Sequence, residues 1–292
     1  MVHKAGFVNI IGNPNTGKST LLNMLTGQKL AIVTSKAQTT RHRLLGIVNG
    51  EDFQIIYSDT PGLVKPRYKL QEYMVKAVHT ALDDADIILF TTDITEEPAE
   101  THPLVARIRQ TTVPVLCLLN KTDLSTPGEV EMLTDKWSQL LPQAEVIPVS
   151  AILGANLDKL LRRILELLPE NPPYFPKDQI TDKPEKFFVE EIIREKILLH
   201  YRQEIPYSVE VVVESFKEDD KLIRISARIF VMRDSQKGIL IGHQGKALKK
   251  TGTEARKDIE AFFNKKVFLE LFVKVKKDWR DKDRMLRNLG YQ

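Results

Sequence analysis

Eight residues near the N-terminus, Gly12-Asn13-Pro14-Asn15-Thr16-Gly17-Lys18-Ser19, have the spacing G-x-x-x-x-G-K-[ST], and Thr20 follows directly. Loops of this kind wrap nucleotide phosphates. Glycines at 12 and 17 let the backbone turn and aim its N–H groups at phosphate oxygens. A helix opening near Lys18 adds the positive end of its dipole. Lys18 is expected to reach the β- and γ-phosphates, and Ser19 to ligate Mg²⁺. The loop specifies phosphate chemistry and leaves the base open.

Asn120-Lys121-Thr122-Asp123 supplies the base. It follows the apolar run 113–119, at the end of a strand, where ligands bind in parallel sheets. Guanine offers N1–H and its 2-amino group as adjacent donors, and the Asp123 carboxylate can accept both. Adenine would leave that carboxylate unpaired. Asn120 is expected to tie neighbouring loops, and the Lys121 stem to cover the base plane. Ser150-Ala151 follows the next apolar run and is expected to touch the base through its backbone. Asp59-Thr60-Pro61-Gly62 follows run 53–58. Here Asp59 belongs to the Mg²⁺ shell and the Gly62 N–H to the γ-phosphate. Residues 36–43 (KAQTTRHR) are polar and aperiodic, and have the position of a switch that orders when γ-phosphate is present. Thr40 is the chosen metal ligand, with Thr39 its neighbouring alternative.

The elements that must hold these loops read clearly. Apolar runs lie near 5–11, 44–49, 53–58, 86–92, 113–119 and 145–149. Helical periodicity lies near 18–26, 70–83, 101–111, 128–141 and 156–168. This alternation predicts an α/β domain on a mostly parallel sheet, with 44–49 and 53–58 forming an antiparallel edge pair around Asn49-Gly50. Four prolines within 169–176 then break all periodicity. We therefore divide the chain into a first domain, 1–169, a Pro-rich linker, 170–183, and a second domain, 184–292. The second domain reads helix 186–203, strands 207–216 and 222–232, apolar segment 236–241, helix 246–263, strand 266–276 and a helical tail from 281 to 289.

Composition narrows the class. The chain of 292 residues has a net charge of +4, unevenly spread. Residues 1–176 carry 17 basic and 19 acidic side chains, residues 177–292 carry 26 and 20, and 235–287 alone carries 15 and 7. A basic second half suits a polyanionic partner. Cys117 is the single cysteine and sits in an apolar run, which excludes an internal disulfide and predicts simple packing. No apolar run reaches the length of a membrane span, and no secretory core is present. A cytoplasmic location is expected.

Between the apolar segment 236–241 and the helix 246–263 lies Gly242-His243-Gln244-Gly245. This is the G-x-x-G loop with which KH domains clamp about four nucleotides of single-stranded RNA. The helix beyond it would point its dipole at phosphate, with Lys246, Lys249 and Lys250 adding charge. Lysines there oppose the dipole, which argues against a structural role for them. Trp279 and Arg280, beyond the last strand, suit either tail packing or RNA contact.

Taken together, GNPNTGKST, KAQTTRHR, DTPG, NKTD and SAILG, with the second-domain order helix–strand–strand–helix–GxxG–helix–strand, resemble the Era-like family of bacterial ribosome-assembly GTPases. The resemblance spans the chain, and KAQTTRHR is its most specific part. It implies a Ras-like P-loop GTPase domain followed by a smaller α+β type II KH domain. It further implies a Mg²⁺-dependent switch acting on the 3′ end of 16S rRNA in 30S subunit assembly, with a monomer expected. His243 departs from the lysine or arginine frequent at its position, so weaker or pH-sensitive RNA contact is expected there.

Hydrolysis requires a positioned water and neutralised γ-phosphate charge. Ras-like enzymes place a Gln after D-x-x-G, but here that position is Leu63. Intrinsic turnover is expected to be slow, with Lys18, Thr40, Gly62 and Asn15 as the catalytic set. In related GTPases an asparagine at the place of Asn15 ligates K⁺, so K⁺ stimulation is expected here. Three readings compete. A metabolic P-loop enzyme is opposed by Asp123 and the basic second half. A membrane-associated signalling GTPase has no lipidation motif to support it, although peripheral contact with the inner membrane face stays open. The third is a GTPase acting on another RNA.

Overall fold

The computed structural model describes residues 2–291. By contact the chain forms two compact units. The first comprises residues 1–31, 40–66 and 71–182, and the second 32–39, 67–70 and 183–292. The second unit resumes at 183, next to the 184 read from sequence, but residues 170–182, read as a linker, belong to the first unit, and 32–39 and 67–70 belong to the second.

The first unit runs β1 (Lys4–Ile11), α1 (Lys18–Thr26), β2 (Leu44–Asn49), β3 (Phe53–Asp59), α2 (Lys69–Asp83), β4 (Ile87–Asp93), α3 (Val105–Gln110), β5 (Val115–Asn120), α4 (Pro127–Leu140), β6 (Glu145–Pro148) and α5 (Leu157–Leu167). The sheet order is β2-β3-β1-β4-β5-β6. Only the β2–β3 pair is antiparallel. Its inner strands are nearly continuous apolar runs because both faces are covered. One cluster joins Val78 and Leu82 of α2, Ile108 of α3 and Trp137 of α4 to Ile88, Phe90, Cys117 and Leu119 of the sheet. Cys117 is buried there, and burial pushes its thiol pKa upward, so it packs and does not react. Helix α3 is shorter than its periodicity suggests, since residues 101–104 around Pro103 are irregular and the helix starts at Val105.

The Pro-rich segment is not a free spacer. The Ala5 N–H donates to Pro169 O, and Asn171 N–H to His3 O. The buried Gln54 side chain accepts from Tyr174 N at 2.7 Å and Phe175 N at 3.0 Å, and donates to Phe175 O at 2.8 Å. Ile47 N–H donates to Ile180 O, on edge strand β2. Prolines keep this strap extended, and the remaining amides and carbonyls find partners on the sheet.

The second unit runs α6 (Glu185–His200), α7 (Ile205–Ser208), β7 (Glu210–Glu218), β8 (Leu222–Val231), α8 (Asp234–Ile241), α9 (Lys246–Phe263), β9 (Lys266–Val275) and α10 (Asp283–Asn288). The strand order is β7-β8-β9, antiparallel then parallel. Val189, Ile193 and Ile197 of α6, Ala255 and Ile259 of α9, and the odd-numbered residues of β8 form its core. Trp279 is buried, and its Nε1–H donates to Ser208 O at 3.0 Å, so it packs the tail.

Glu190, on α6, accepts from Val213 N at 2.8 Å. Burial lifts its carboxyl to about 7, and the neighbouring Glu210 and Glu191 charges add to this. A carboxyl raised on folding stabilises the fold below its unfolded pKa and loses that contribution as pH rises through about 7. Glu190→Gln keeps an oxygen for Val213, so it should raise the melting temperature at pH 8 and raise it much less at pH 5. Thermal unfolding at both pH values checks this.

Candidate nucleotide and RNA sites

The phosphate loop spans the end of β1 and the start of α1. Gly12 has φ 155°, and a Cβ there would lie 2.1 Å from Thr91 O. Gly17 has φ 95°, and a Cβ would lie 2.2 Å from Asn120 Nδ2. Neither position can take a side chain, so both glycines are obligatory for this loop. Asn15 is left-handed at φ 66°. Thr16 Oγ1 donates to Asn13 O at 3.1 Å. Lys18 is buried, and its Nζ donates to Gly12 O at 3.1 Å and Asn13 O at 2.6 Å. Burial lowers its pKa to about 8, against the raising influence of Asp59 and Glu96. An incoming phosphate would restore the full charge.

Ser19, Thr40 and Asp59 converge. Ser19 Oγ donates to Asp59 Oδ2 at 2.6 Å and lies 2.9 Å from Thr40 Oγ1. Thr40 Oγ1 donates to the same Oδ2 at 3.2 Å. Thr39 is turned away, toward Thr34 Oγ1 at 2.7 Å and Lys36 O at 2.6 Å. Asp59 is fully buried, and among the described residues its Oδ1 has no hydrogen-bond partner. Burial pushes its carboxyl upward, against the Ser19 and Thr40 hydrogen bonds and the Lys18 charge. One carboxylate, two hydroxyls and a buried oxygen without a donor fit a hard cation that takes its other ligands from phosphate and water. Mg²⁺ held here would neutralise charge on the phosphates. Thr60 is anchored by its hydroxyl to Ile10 O at 2.8 Å, and Gly62 lies against Pro14, where a Cβ would come within 2.7 Å of backbone. Leu63 N–H donates to Gly12 O at 3.3 Å, and its side chain packs into the sheet's core.

Asn120 joins three loops. Its Nδ2 donates to Thr16 O at 2.8 Å, and its Oδ1 accepts from Ala151 N at 3.0 Å. Lys121 is left-handed, and its Nζ donates to Asp93 Oδ2 at 2.5 Å. Asp123 is exposed, so its carboxylate is open to an incoming base, and Ser150 Oγ donates to it. Ser150 thus holds the Asp123 carboxylate through its side chain, a contact beyond the backbone one expected from sequence.

One group carried no spacing signal. Asn13 Nδ2 donates to Glu96 Oε1 and lies 2.9 Å from His102 Nε2. Thr92 Oγ1 donates to Glu96 Oε2 at 2.8 Å. Burial acts to raise the Glu96 carboxyl, but donors from His102, Thr92 and Asn13 hold it below the usual range. Glu96 and His102 lie in irregular chain after β4, and the helix expected over 101–111 begins only at Val105.

In the second unit, α8 ends at Gly242 (φ 72°), where a Cβ would lie 2.6 Å from the Ala247 Cβ. Gln244 (φ 50°) and Gly245 (φ 75°) are also left-handed. The loop therefore presents backbone, with His243, Gln244, Lys246, Lys249 and Lys250 exposed around it.

A six-stranded P-loop sheet carrying this phosphate loop, buried Asp59 and NKTD defines a GTPase joined to a KH-type unit. The chain matches the family described as 50S ribosome-binding GTPase over residues 7–121 and the KH domain family over 204–280. GTPase Era of Ruminiclostridium cellulolyticum is 45% identical over 294 residues, covering 100% of this chain and 99% of that protein. GTPase Era of Geotalea daltonii is 47% identical over 290 residues, covering 99% and 98%. An Era crystal structure with MgGDPNP and nucleotides 1506–1542 of 16S ribosomal RNA superposes with TM-score 0.94 at 40% identity, covering 99% of both chains. A variant of Aquifex aeolicus Era bound to GDP·AlF4⁻ gives the same TM-score, identity and coverage. This chain belongs to the Era family of GTPases. As a member of that family it binds and hydrolyses GTP.

Asp123→Asn replaces one acceptor oxygen by an amide donor. That edge matches xanthine, which carries a second carbonyl where guanine carries an amine. GTP affinity should fall by about a hundredfold, the size of a lost charged double hydrogen bond, and xanthosine triphosphate affinity should rise. Parallel titrations of the two nucleotides check this.

Proposed function

We propose that this chain is a GTP-driven switch that grips single-stranded RNA at the 3′ end of 16S rRNA during 30S subunit assembly. The relative crystallised with nucleotides 1506–1542 supports that target. The left-handed G-x-x-G loop ringed by lysines supports the grip.

The observation that carries the switch is the membership of residues 32–39 in the RNA-binding unit. Arg194 of α6 is 1% exposed. Its guanidinium donates to Glu191, and to the carbonyls of Gln38 and Thr39. Lys36 Nζ donates to Leu198 O and Tyr201 O, at the negative end of α6. Tyr68 Oη donates to Gln38 Oε1 at 2.7 Å, and Arg280 stacks over the Tyr68 ring at 4.1 Å. The next residue, Thr40, belongs to the Mg²⁺ cluster. A shift of Thr40 toward γ-phosphate therefore pulls directly on a segment clamped by the RNA-binding unit. Two sites sharing one such element are coupled, and the coupling is reciprocal for binding.

Gly242→Asp with Gly245→Asp should abolish binding to the 1506–1542 RNA while GTP affinity stays intact. Arg194→Gln should leave both affinities standing and erase the dependence of one on the other, ordinarily about 1–3 kcal/mol. Titrating RNA with and without GTP measures that coupling, and its persistence in Arg194→Gln would overturn the clamp. We also propose that Asn15 supports K⁺ stimulation. Hydrolysis should run faster in KCl than in NaCl, and equal rates would remove this role.

A further inference from the structure

The sheet of the second unit has one open face. Odd-numbered residues of β8 and β9 point into the core, and even-numbered residues point to solvent. On that open face β9 exposes two large rings, Phe268 at 52% and Phe272 at 50%. Each is paired in register with an arginine of β8: Arg224 with Phe268, and Arg228 with Phe272. The third ring on the face, Phe230, is paired with Lys274, and Lys276 Nζ sits 4.6 Å from its centroid. Every ring of this face therefore has a cation beside it.

Exposed phenylalanines at two positions of one edge strand are costly in water and are not needed for the core, which lies on the other face. The neighbours decide what covers them. The centre of a protein–protein interface is depleted in charge. Here the charges are interleaved with the rings, and they are mainly positive. Glu214 and Asp219 are present, but each is bonded to an arginine of the face, at 2.8 Å and 2.6 Å. Glu210 is buried and accepts from Tyr291 Oη at 2.9 Å. Glu270 lies between the two rings on β9. A ligand with flat π faces joined by anionic links complements such a surface, which describes unpaired nucleotides.

We propose that the open face of the β7–β8–β9 sheet is a second RNA subsite, separate from the G-x-x-G loop. Two unpaired bases stack on Phe268 and Phe272, and Arg224, Arg228 and Lys274 meet the adjoining phosphates. The two rings are four residues apart on one strand, about 13 Å, so the bases they take are not stacked on one another. The subsite rests on the RNA-binding reading above, and extends the bound strand beyond the nucleotides held by the loop.

The full-length protein is titrated with fluorescein-labelled RNA of nucleotides 1506–1542. Phe268→Leu with Phe272→Leu keeps apolar bulk and removes the rings. It should weaken binding about tenfold or more, with an unchanged salt slope, because stacking releases no counterions. Phe268→Tyr with Phe272→Trp should keep wild-type affinity. Arg228→Gln should lower the salt slope by about one. Unchanged affinity in the leucine pair overturns the subsite while the Gly242→Asp, Gly245→Asp result still stands for the loop. If that glycine pair binds as wild type, the loop reading fails on its own. Ultraviolet crosslinking of the wild-type complex needs no variant, and peptide mass spectrometry should find a nucleotide adduct on Phe268 or Phe272. Adducts on neither ring overturn the proposal. So does a leucine pair that loses binding to vesicles of phosphatidylglycerol while keeping its RNA affinity.

Discussion

A fully buried carboxylate with one oxygen lacking a donor is an expensive thing to build into a protein. Asp59 ends β3 in that state, and much of the first unit is organised around it. Strand β3 delivers it, the start of α1 brings Ser19, and the polar stretch before β2 brings Thr40. Desolvation favours the protonated acid, and a divalent cation reverses that preference. The site is therefore built to be completed from outside, by a metal and the phosphates that accompany it. Lys18 shows the same design with opposite sign. Its ammonium is held on two carbonyls of its own loop, in surroundings that lower its pKa.

The parallel sheet and its strand-end loops were legible because buried strands leave continuous apolar runs and ligand loops follow them. The phosphate loop, DTPG, NKTD and Ser150-Ala151 lie at such ends, whereas KAQTTRHR precedes β2. The antiparallel β2–β3 pair was also legible, through Asn49-Gly50. What escaped reading was long-range and polar. The Glu96–His102–Asn13 group joins residues more than 80 positions apart through side chains that follow no period. The Arg194 clamp escaped because α6 reads as an ordinary amphipathic helix, and a buried arginine on it looks like any charged residue. The place of residues 170–182 in the first unit, where composition suggested a linker, was hidden for a related reason. Composition marks where the chain is stiff, and contact marks where it belongs.

Membership of residues 32–39 in the second unit changes how the switch segment should be regarded. Its carbonyls are held by a guanidinium, and its lysine caps the end of a helix. The segment is held in place by the second unit's own groups, so any ligand that moves it must bind the moved arrangement more tightly to shift the balance. Among the described residues no helix is long and apolar enough to cross a membrane.

The strap of residues 169–182 has a consequence for how the nucleotide-binding half can be isolated. Its start bonds to the chain around β1, and its end, from Lys177 on, lies along β2, the outermost strand, occupying hydrogen-bonding groups that would otherwise face solvent. A fragment trimmed at the last residue of α5 would bare that margin and leave the Gln54 amide buried without its chain partners. Uncovered margins of this kind recruit other chains and aggregate. A soluble fragment must therefore carry the proline-rich stretch as far as Asp182.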